Sequence, residues 1–336
     1  GEDGNRLVDG KGSITSVEVL RVQLPGSPKW IAAVPYQEAS LWTAVMENGD
    51  VVAILVRDQQ AEVLDLGWGP LPPGTPPLVI VQNDEARLIG PVTDRASIQT
   101  HPVPVSFDPL RLAYIEKDGD LVLWENETEV SRLEVIALPE ARLLSDGGGR
   151  LLFLSDPTDR YPHAVLGDDL EGSSISLVET DPDLQSLNRI EIPSPAVLEG
   201  IAPIWVDLDG DGTREILVTL SDEGAGARLA VYSEEGELLA QGPPAGQGYR
   251  WRHQLGALPL DGGNEMILFD VLRPHLDALF EVFQWRGDYL TAMEYIPGYA
   301  SHEIRSRNLD QALAGDLDGD GLPEMAVPGR DRDTLH

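Results

Sequence analysis

Two stretches of the chain place acidic residues at alternate positions of a glycine-rich turn. They are Asp207-Leu-Asp-Gly-Asp-Gly-Thr-Arg-Glu215 and Asp316-Leu-Asp-Gly-Asp-Gly-Leu-Pro-Glu324. In each, carboxylates occupy positions 1, 3, 5 and 9, and a glycine occupies position 6. Alternate carboxylates on a tight loop converge on one point, and a hard cation is needed to hold them together. Calcium takes roughly six to eight oxygen ligands at about 2.3–2.6 Å, so the sequence predicts two structural calcium sites.

The expected ligands are side-chain carboxylates together with the backbone carbonyl at position 7 of each loop. They are Asp207, Asp209, Asp211, Thr213 (carbonyl) and Glu215 in the first loop, and Asp316, Asp318, Asp320, Leu322 (carbonyl) and Glu324 in the second. Gly212 and Gly321 provide the backbone freedom that the sharp bend requires.

An EF-hand begins in the same way, but it needs a glutamate at position 12 and a following helix. Position 12 is Val218 in the first loop and Val327 in the second. The residues that follow each loop are short β-branched or apolar runs, which predict strands. The loops are therefore expected to connect two strands. An acidic Asp-Gly turn without a metal remains the alternative for either loop.

The pattern D-x-D-G-D-G-x-x-E followed by a hydrophobic strand resembles the FG-GAP or VCBS repeat of integrin-α-like β-propellers. The resemblance implies that each loop joins the first two strands of a blade and that its carboxylates bind calcium. A weaker copy, Leu258 to Leu268, keeps the strand and Glu265 but has lost most of the aspartates, so we expect a blade without metal there. The intervals from Glu215 to Glu265 and from Glu265 to Glu324 are 50 and 59 residues, a length that suits one four-stranded blade each.

Many short strand signals separated by turns predict an all-β fold, a single β-propeller over residues 1–336. We expect seven blades, with six or eight as alternatives because residues 78–106 are ambiguous. Residues 1–12 are expected to be flexible. A strand within 13–24 is expected to pair with the last blade and close the ring, which would protect an exposed strand edge. The expected blades are 29–68, 77–106, 108–139, 140–194, 195–246, 247–300 and 301–336.

The charge balance argues against several classes of partner. The formal net charge is −33, from 57 acidic and 24 basic residues. Such a surface repels phosphate backbones and anionic membranes, so a nucleic-acid partner is not expected. No apolar run approaches the length of about 20 residues that a membrane span needs. Calcium loops of low affinity suit calcium-rich surroundings, so we expect an extracellular, periplasmic or cell-envelope location.

No pattern of catalytic residues stands out. The six histidines do not fall at metal-ligand spacing, and neither a nucleophile elbow nor a phosphate-binding loop is present. The acidic pairs Asp168-Asp169 and Glu234-Glu235 suggest general acid and base groups of a glycosidase, or simply solvated turns. Five tryptophans in strand signals are expected to pack between blades: Trp30, Trp42, Trp124, Trp205 and Trp285. Trp68 and Trp251 flank loops, where an exposed ring would suit a sugar or a protein partner, but core packing is the stronger expectation for each.

The sequence therefore predicts an exported, calcium-stabilised propeller that acts as a non-catalytic binding, adhesion or assembly module. Its partner, a protein or a carbohydrate, is expected on the loop faces. One alternative is a propeller-scaffold enzyme, a polysaccharide lyase or hydrolase. Another is a subunit of a larger cell-envelope complex. An enzyme should bring several acidic or basic groups together in a central pocket, whereas a module needs only a broad surface.

Overall fold

The computed structural model describes residues 20–105, 110–259, 266–276, 278–315 and 324–331. The regular structure of these residues is entirely β. The strands are β1 Pro28–Tyr36, β2 Ala39–Met46, β3 Val51–Arg57, β4 Gln60–Leu64, β5 Leu78–Gln82, β6 Glu85–Ile89, β7 Val103–Pro104, β8 Leu112–Ile115, β9 Leu121–Glu125, β10 Thr128–Leu133, β11 Leu144–Ser145, β12 Arg150–Thr158, β13 Glu171–Glu179, β14 Gln185–Glu191, β15 Val197–Leu198, β16 Ile204–Val206, β17 Glu215–Ser221, β18 Arg228–Tyr232, β19 Leu238–Gln241, β20 Arg252–Pro259, β21 Met266–Leu272, β22 Leu279–Arg286, β23 Tyr289–Pro297, β24 Leu313–Gly315 and β25 Glu324–Ala326.

Neighbouring strands in sequence pair antiparallel and form successive meanders. Complete four-stranded meanders are made by β1–β4, β7–β10, β11–β14, β16–β19 and β20–β23. Two further hairpins, β5–β6 and β24–β25, occupy the positions in the chain order where additional blades are expected. This repetition of up-and-down sheets is the architecture of a β-propeller, in which each sheet is one blade.

Short pairings join three consecutive meanders into one extended sheet. The two-residue strand β15 pairs with both β13 and β17, and a single parallel bridge joins Gln241 of β19 to Tyr289 of β23. These links fasten the meander that carries the first acidic loop to the meander before it and to the meander after it.

The burial pattern explains why these sequences stack as blades. All seven residues of β17 and all four of β8 are buried, so both faces of these inner strands are covered. An outer strand such as β4 is instead mostly exposed. Strands that are apolar on both faces require a neighbouring sheet on each side, and the apolar core therefore lies between successive blades.

Two expectations about the chain path differ from the structure in part. Strand β7 pairs with β8, so the third meander begins before residue 106, the end expected for the second blade. Residues 20–24 carry no strand, and the rest of the predicted closing strand lies outside the described residues. The blade count and the closure by the N-terminal strand stay predictions.

The two ends of the described chain do approach one another. The side-chain Nδ2 of Asn308 donates a hydrogen bond to the Lys29 carbonyl at 3.4 Å, across 279 residues of sequence. Near the C-terminus, Tyr299 and Gly329 form an isolated antiparallel bridge. In the described part of the chain, no helix is long and apolar enough to cross a membrane.

Candidate metal centre

The first acidic loop connects two paired strands, as the sequence predicted. Val206 at the end of β16 is the register partner of Glu215 at the start of β17. The eight residues between them must therefore reverse the chain within a tight hairpin. Gly210 and Gly212 have φ angles of 78° and 91°, a region that other residues enter at a cost. The loop is thus shaped by its glycines.

Backbone amides of the loop point at its carboxylates. Asp207 accepts hydrogen bonds from the amides of Gly210, at 2.7 Å, and Gly212, at 3.0 Å. Asp209 accepts one from the Asp211 amide at 3.1 Å. These bonds fold the turn around the acidic side chains and hold them in place.

Three of the predicted ligands lie together. Asp207, Asp209 and Glu215 each offer a carboxylate oxygen, and these oxygens lie within 4.8 Å of one another. Two oxygens bound to the same calcium ion are separated by at most about 5 Å, twice the usual calcium–oxygen distance. The donor set consists of oxygen alone, which suits a hard cation. The residues therefore fit one calcium ion, with backbone carbonyl and water oxygens completing the coordination.

Glu215 differs from the other two because its side chain lies at the base of the loop. It is 4% exposed, and its Oε2 accepts a hydrogen bond from the Leu208 amide at 2.7 Å. Burial raises the pKa of this carboxyl to about 7, and the charges of Asp209, Asp207 and Asp211 contribute to the increase. Without a cation, Glu215 is therefore about half protonated at neutral pH, and a bound divalent cation would favour the carboxylate.

The remaining predicted ligands are placed as follows. Asp211 does not belong to the close set of oxygens, and its Oδ1 accepts a hydrogen bond from the Thr213 amide at 2.7 Å. Residues 316–323 lie outside the described residues, so the second site stays a prediction except at its end. Glu324 begins β25 and pairs with Gly315 of β24, so two paired strands lie on either side of the predicted second loop.

Another acidic group, formed by Glu116, Asp118 and Asp120, has a different character. Its carboxylate oxygens also lie within 4.8 Å of one another. Here, however, guanidinium groups supply the positive charge: Arg132 contacts Glu116 at 3.0 Å and Asp120 at 2.7 Å, and Arg95 contacts Glu116 at 2.6 Å. The three residues lie in the turn between β8 and β9. The structure adds an ion-pair network to it.

A third acidic group was not anticipated from the sequence. Glu140, Glu171 and Glu199 are 3%, 2% and 1% exposed. Glu199 is hydrogen-bonded to the His163 ring and to the Ser221 hydroxyl. Burial, followed by the charge of Glu199, raises the pKa of Glu171 well above its usual range. These residues lie before β11, at the start of β13 and directly after β15, and they share no motif, so only the fold brings them together.

The known proteins that resemble this chain are remote from it. No model of a protein family matches the chain, and no curated protein matches it. Among solved structures, the WD40 propeller domain of Doa1 is 11% identical, with a TM-score of 0.41, over 92% of this chain and 91% of that one. The N-terminal part of BBS1 in complex with ARL6 is 12% identical, with a TM-score of 0.40, over 93% and 77%.

A protein of Bacteroides uniformis, described as a candidate 6-phosphogluconolactonase, is 10% identical, with a TM-score of 0.45 and coverage of 89% of this chain and 88% of that one. At such identities and TM-scores, these likenesses carry no argument about this chain.

Proposed function

We propose that this chain is a calcium-stabilised β-propeller that acts as a non-catalytic binding, adhesion or assembly module. The observation that carries the proposal is the convergence of Asp207, Asp209 and Glu215 at the turn of one hairpin. It agrees with the resemblance of both acidic loops to the FG-GAP or VCBS repeat. The same chemistry is proposed for the loop from Asp316 to Glu324.

Calcium would act on stability in this chain by removing repulsion within the loop. Three carboxylates within 4.8 Å of one another repel unless a proton or a cation intervenes. The chain as a whole carries a formal charge of −33, so two divalent cations would also relieve part of its self-repulsion. Calcium that binds only the folded state at about one hundred times its Kd would stabilise the fold by about 2.7 kcal/mol per site.

The proposed partner is a protein or a carbohydrate that contacts the loop faces of the ring. The acidic surface makes nucleic acid an unsuitable partner. A calcium-rich compartment suits loops of modest affinity, so we propose that the protein works outside the cytosol, at the cell surface or in the envelope. Membership of a larger envelope complex is compatible with this role.

The alternative proposal is an enzyme that acts on polysaccharide, and one observation weighs against it. An enzyme needs a cavity and convergent titratable groups in the same place. A surface cavity of about 410 Å³ is lined by turn residues: Gln37, Glu38, Arg57, Asp58 and Asp84. The convergent group of Glu140, Glu171 and Glu199 is buried and contributes no residue to that cavity. The module is therefore the better-supported function.

Thermal melting with calcium and with a chelator tests the calcium role. We expect calcium to raise the melting temperature by several degrees, and the variant Asp209→Asn to lose the part of this gain that the first loop supplies. The variant Asp183→Asn, which changes an exposed aspartate outside the loops, is the matched control. Melting curves that coincide with and without calcium in the unmodified protein would refute the proposal.

A further inference from the structure

A buried tryptophan lies between the first acidic loop and the neighbouring blade. Trp205, on β16, precedes the loop by two residues and is 1% exposed. Two guanidinium groups stand over its ring. The Cζ of Arg214 is 5.3 Å from the ring centroid and the Cζ of Arg150 is 5.1 Å from it. A guanidinium at such a distance is attracted by the electron-rich face of the indole.

Arg214 ties the loop to this ring. It is the eighth residue of the loop and immediately precedes Glu215, one of the three converging carboxylates. Besides lying over the ring, its Nη1 donates a hydrogen bond to the Trp205 carbonyl at 3.0 Å. The Arg214 side chain therefore anchors the backbone next to Glu215 to Trp205.

Arg150 ties the same ring to the preceding blade. It begins β12, and its Nη1 lies 2.5 Å from Glu234 Oε2, while its Nε lies 2.7 Å from Asp146. The indole Nε1 of Trp205 donates to the other oxygen of Glu234 at 2.9 Å. Asn188, on β14, donates to the Glu234 carbonyl at 2.7 Å. These contacts join the β11–β14 meander to the β16–β19 meander.

We infer that Arg214, Trp205, Glu234 and Arg150, here called the Trp205 junction, couple calcium binding at the first loop to the packing of the preceding blade. This inference rests on the calcium role proposed above. Arg214 and Arg150 are then positioning residues, which act on the cation site through Trp205 and do not ligate the ion. A bound cation that restrained Glu215 would also restrain its neighbour Arg214 against the Trp205 ring. Arg150 and Glu234 contact the same ring from the other side of the junction.

Simple electrostatics predicts the opposite sign, which makes the inference testable. Removing a positive charge near a calcium site should strengthen calcium binding, because less positive charge repels the ion. Coupling through the Trp205 junction predicts weaker binding after the same change. Calorimetry at about 0.15 M salt keeps the long-range contribution small, since the Debye length is then about 8 Å.

The experiment measures the calcium Kd of the first loop in full-length protein that carries Asp318→Ala, which removes the proposed second site. Into this background we introduce Arg214→Gln, Arg150→Gln or the control Arg189→Gln. Arg189 belongs to the same meander as Arg150, is 46% exposed and pairs with Asp156 at 2.7 Å, away from Trp205. We expect Arg214→Gln and Arg150→Gln each to weaken calcium binding about fivefold, and the control to leave it unchanged or slightly tighter.

Amide hydrogen exchange supplies a second readout that needs no substitution in the Trp205 junction. Calcium added to the unmodified protein should increase protection in β12 and β14 more than in β3, because β3 contributes no described residue to the buried cluster that contains Trp205. Equal calcium affinities in the Arg150 variant and the control, or equal exchange changes in all three strands, would overturn the inference alone. Absence of calcium binding in the Asp318→Ala background itself would overturn the proposed role of the first loop, and the inference with it.

Discussion

Substituting Glu140 by glutamine should make the protein more stable above neutral pH. The Glu140 side chain is 3% exposed. Burial raises its pKa to about 7 from an ordinary value of 4.5, and the nearby charge of Asp168 adds to the increase. Arg307 and Arg142 offset only part of it. The folded protein therefore holds a proton on Glu140 more tightly than the unfolded chain does.

The sign and size of the effect follow from proton linkage. Because the folded-state pKa is raised, the contribution to stability is fully present below about pH 4.5 and is lost as the pH rises through about 7. With these two pKa values, the free energy of unfolding should fall by roughly 2 kcal/mol between pH 5.5 and pH 8. The whole difference between the two pKa values corresponds to about 3 kcal/mol. Glutamine mimics the protonated acid and lacks this loss.

Urea unfolding of the unmodified protein and of Glu140→Gln, from pH 5.5 to pH 8, measures the effect. Calcium is kept in excess so that Glu215 remains a ligand throughout. At pH 5.5 the variant should already be more stable by roughly 1.4 kcal/mol, because the unfolded chain has lost most of its Glu140 protons there, and at pH 8 this difference should grow by roughly 2 kcal/mol. Glu62→Gln, at an exposed position of β4, is the control. If Glu140→Gln and the unmodified protein show parallel pH profiles, the account of Glu140 is wrong.

Three further predictions concern the calcium loops. The variants Asp209→Ala and Asp318→Ala should each remove one calcium equivalent in titration calorimetry, with additive stability costs because separate loops do not share a partner; loss of both sites from either change would refute this. Calcium must displace the proton from Glu215, whose pKa is about 7, so calcium affinity should rise between pH 6 and pH 8. Proton release should appear in calorimetry as a heat that depends on the buffer, and an affinity that does not change with pH would contradict this prediction. Gly212→Ala should destabilise the calcium-free protein by about 1 kcal/mol in a denaturant assay, because the φ angle of Gly212 is 91°. Gly69→Ala is the control: the new methyl group meets open space, so the substitution should be neutral in the same assay.

The part of the fold that the sequence predicted best is governed by local patterns. Alternating apolar residues and turn signals predicted a blade over 29–68, and the four strands of the first meander span residues 28–64. The hairpin setting of the first loop was also predictable, because the spacing of aspartate and glycine specifies a turn and Ile216 to Leu220 specifies a strand. Val206 and Glu215 are indeed register partners.

Features that depend on distant contacts were not predictable in this way. Trp42 was expected between blades but is 42% exposed, whereas Trp251, for which core packing was expected and exposure was the alternative, is 1% exposed. Strand position alone does not say which face a neighbouring blade covers. Trp251 is buried in a cluster with Val165, Leu166 and Ile201, and Leu309, from a segment far along the chain, packs against that cluster. No local signal in the sequence reports that contact.

The acidic groups illustrate the same limit. Asp168 was noted as half of an acidic pair, but its 2.5 Å contact with Arg307 spans 139 residues. The contact of Glu116 with Arg132 joins a turn to a later strand in the same meander and was equally invisible as a motif. Charge clusters in an acidic chain look alike in sequence. Their burial and their partners distinguish an ion-pair network from a cation site.

An anomalous-scattering map from crystals grown in millimolar calcium tests the central claim most directly. The account predicts a calcium peak between Asp207, Asp209 and Glu215, with carboxylate oxygens at about 2.3–2.6 Å. An Asp209→Asn crystal grown in the same solution should lose or weaken that peak and keep the rest of the hairpin. A well-ordered loop that shows no anomalous peak at saturating calcium would contradict the account.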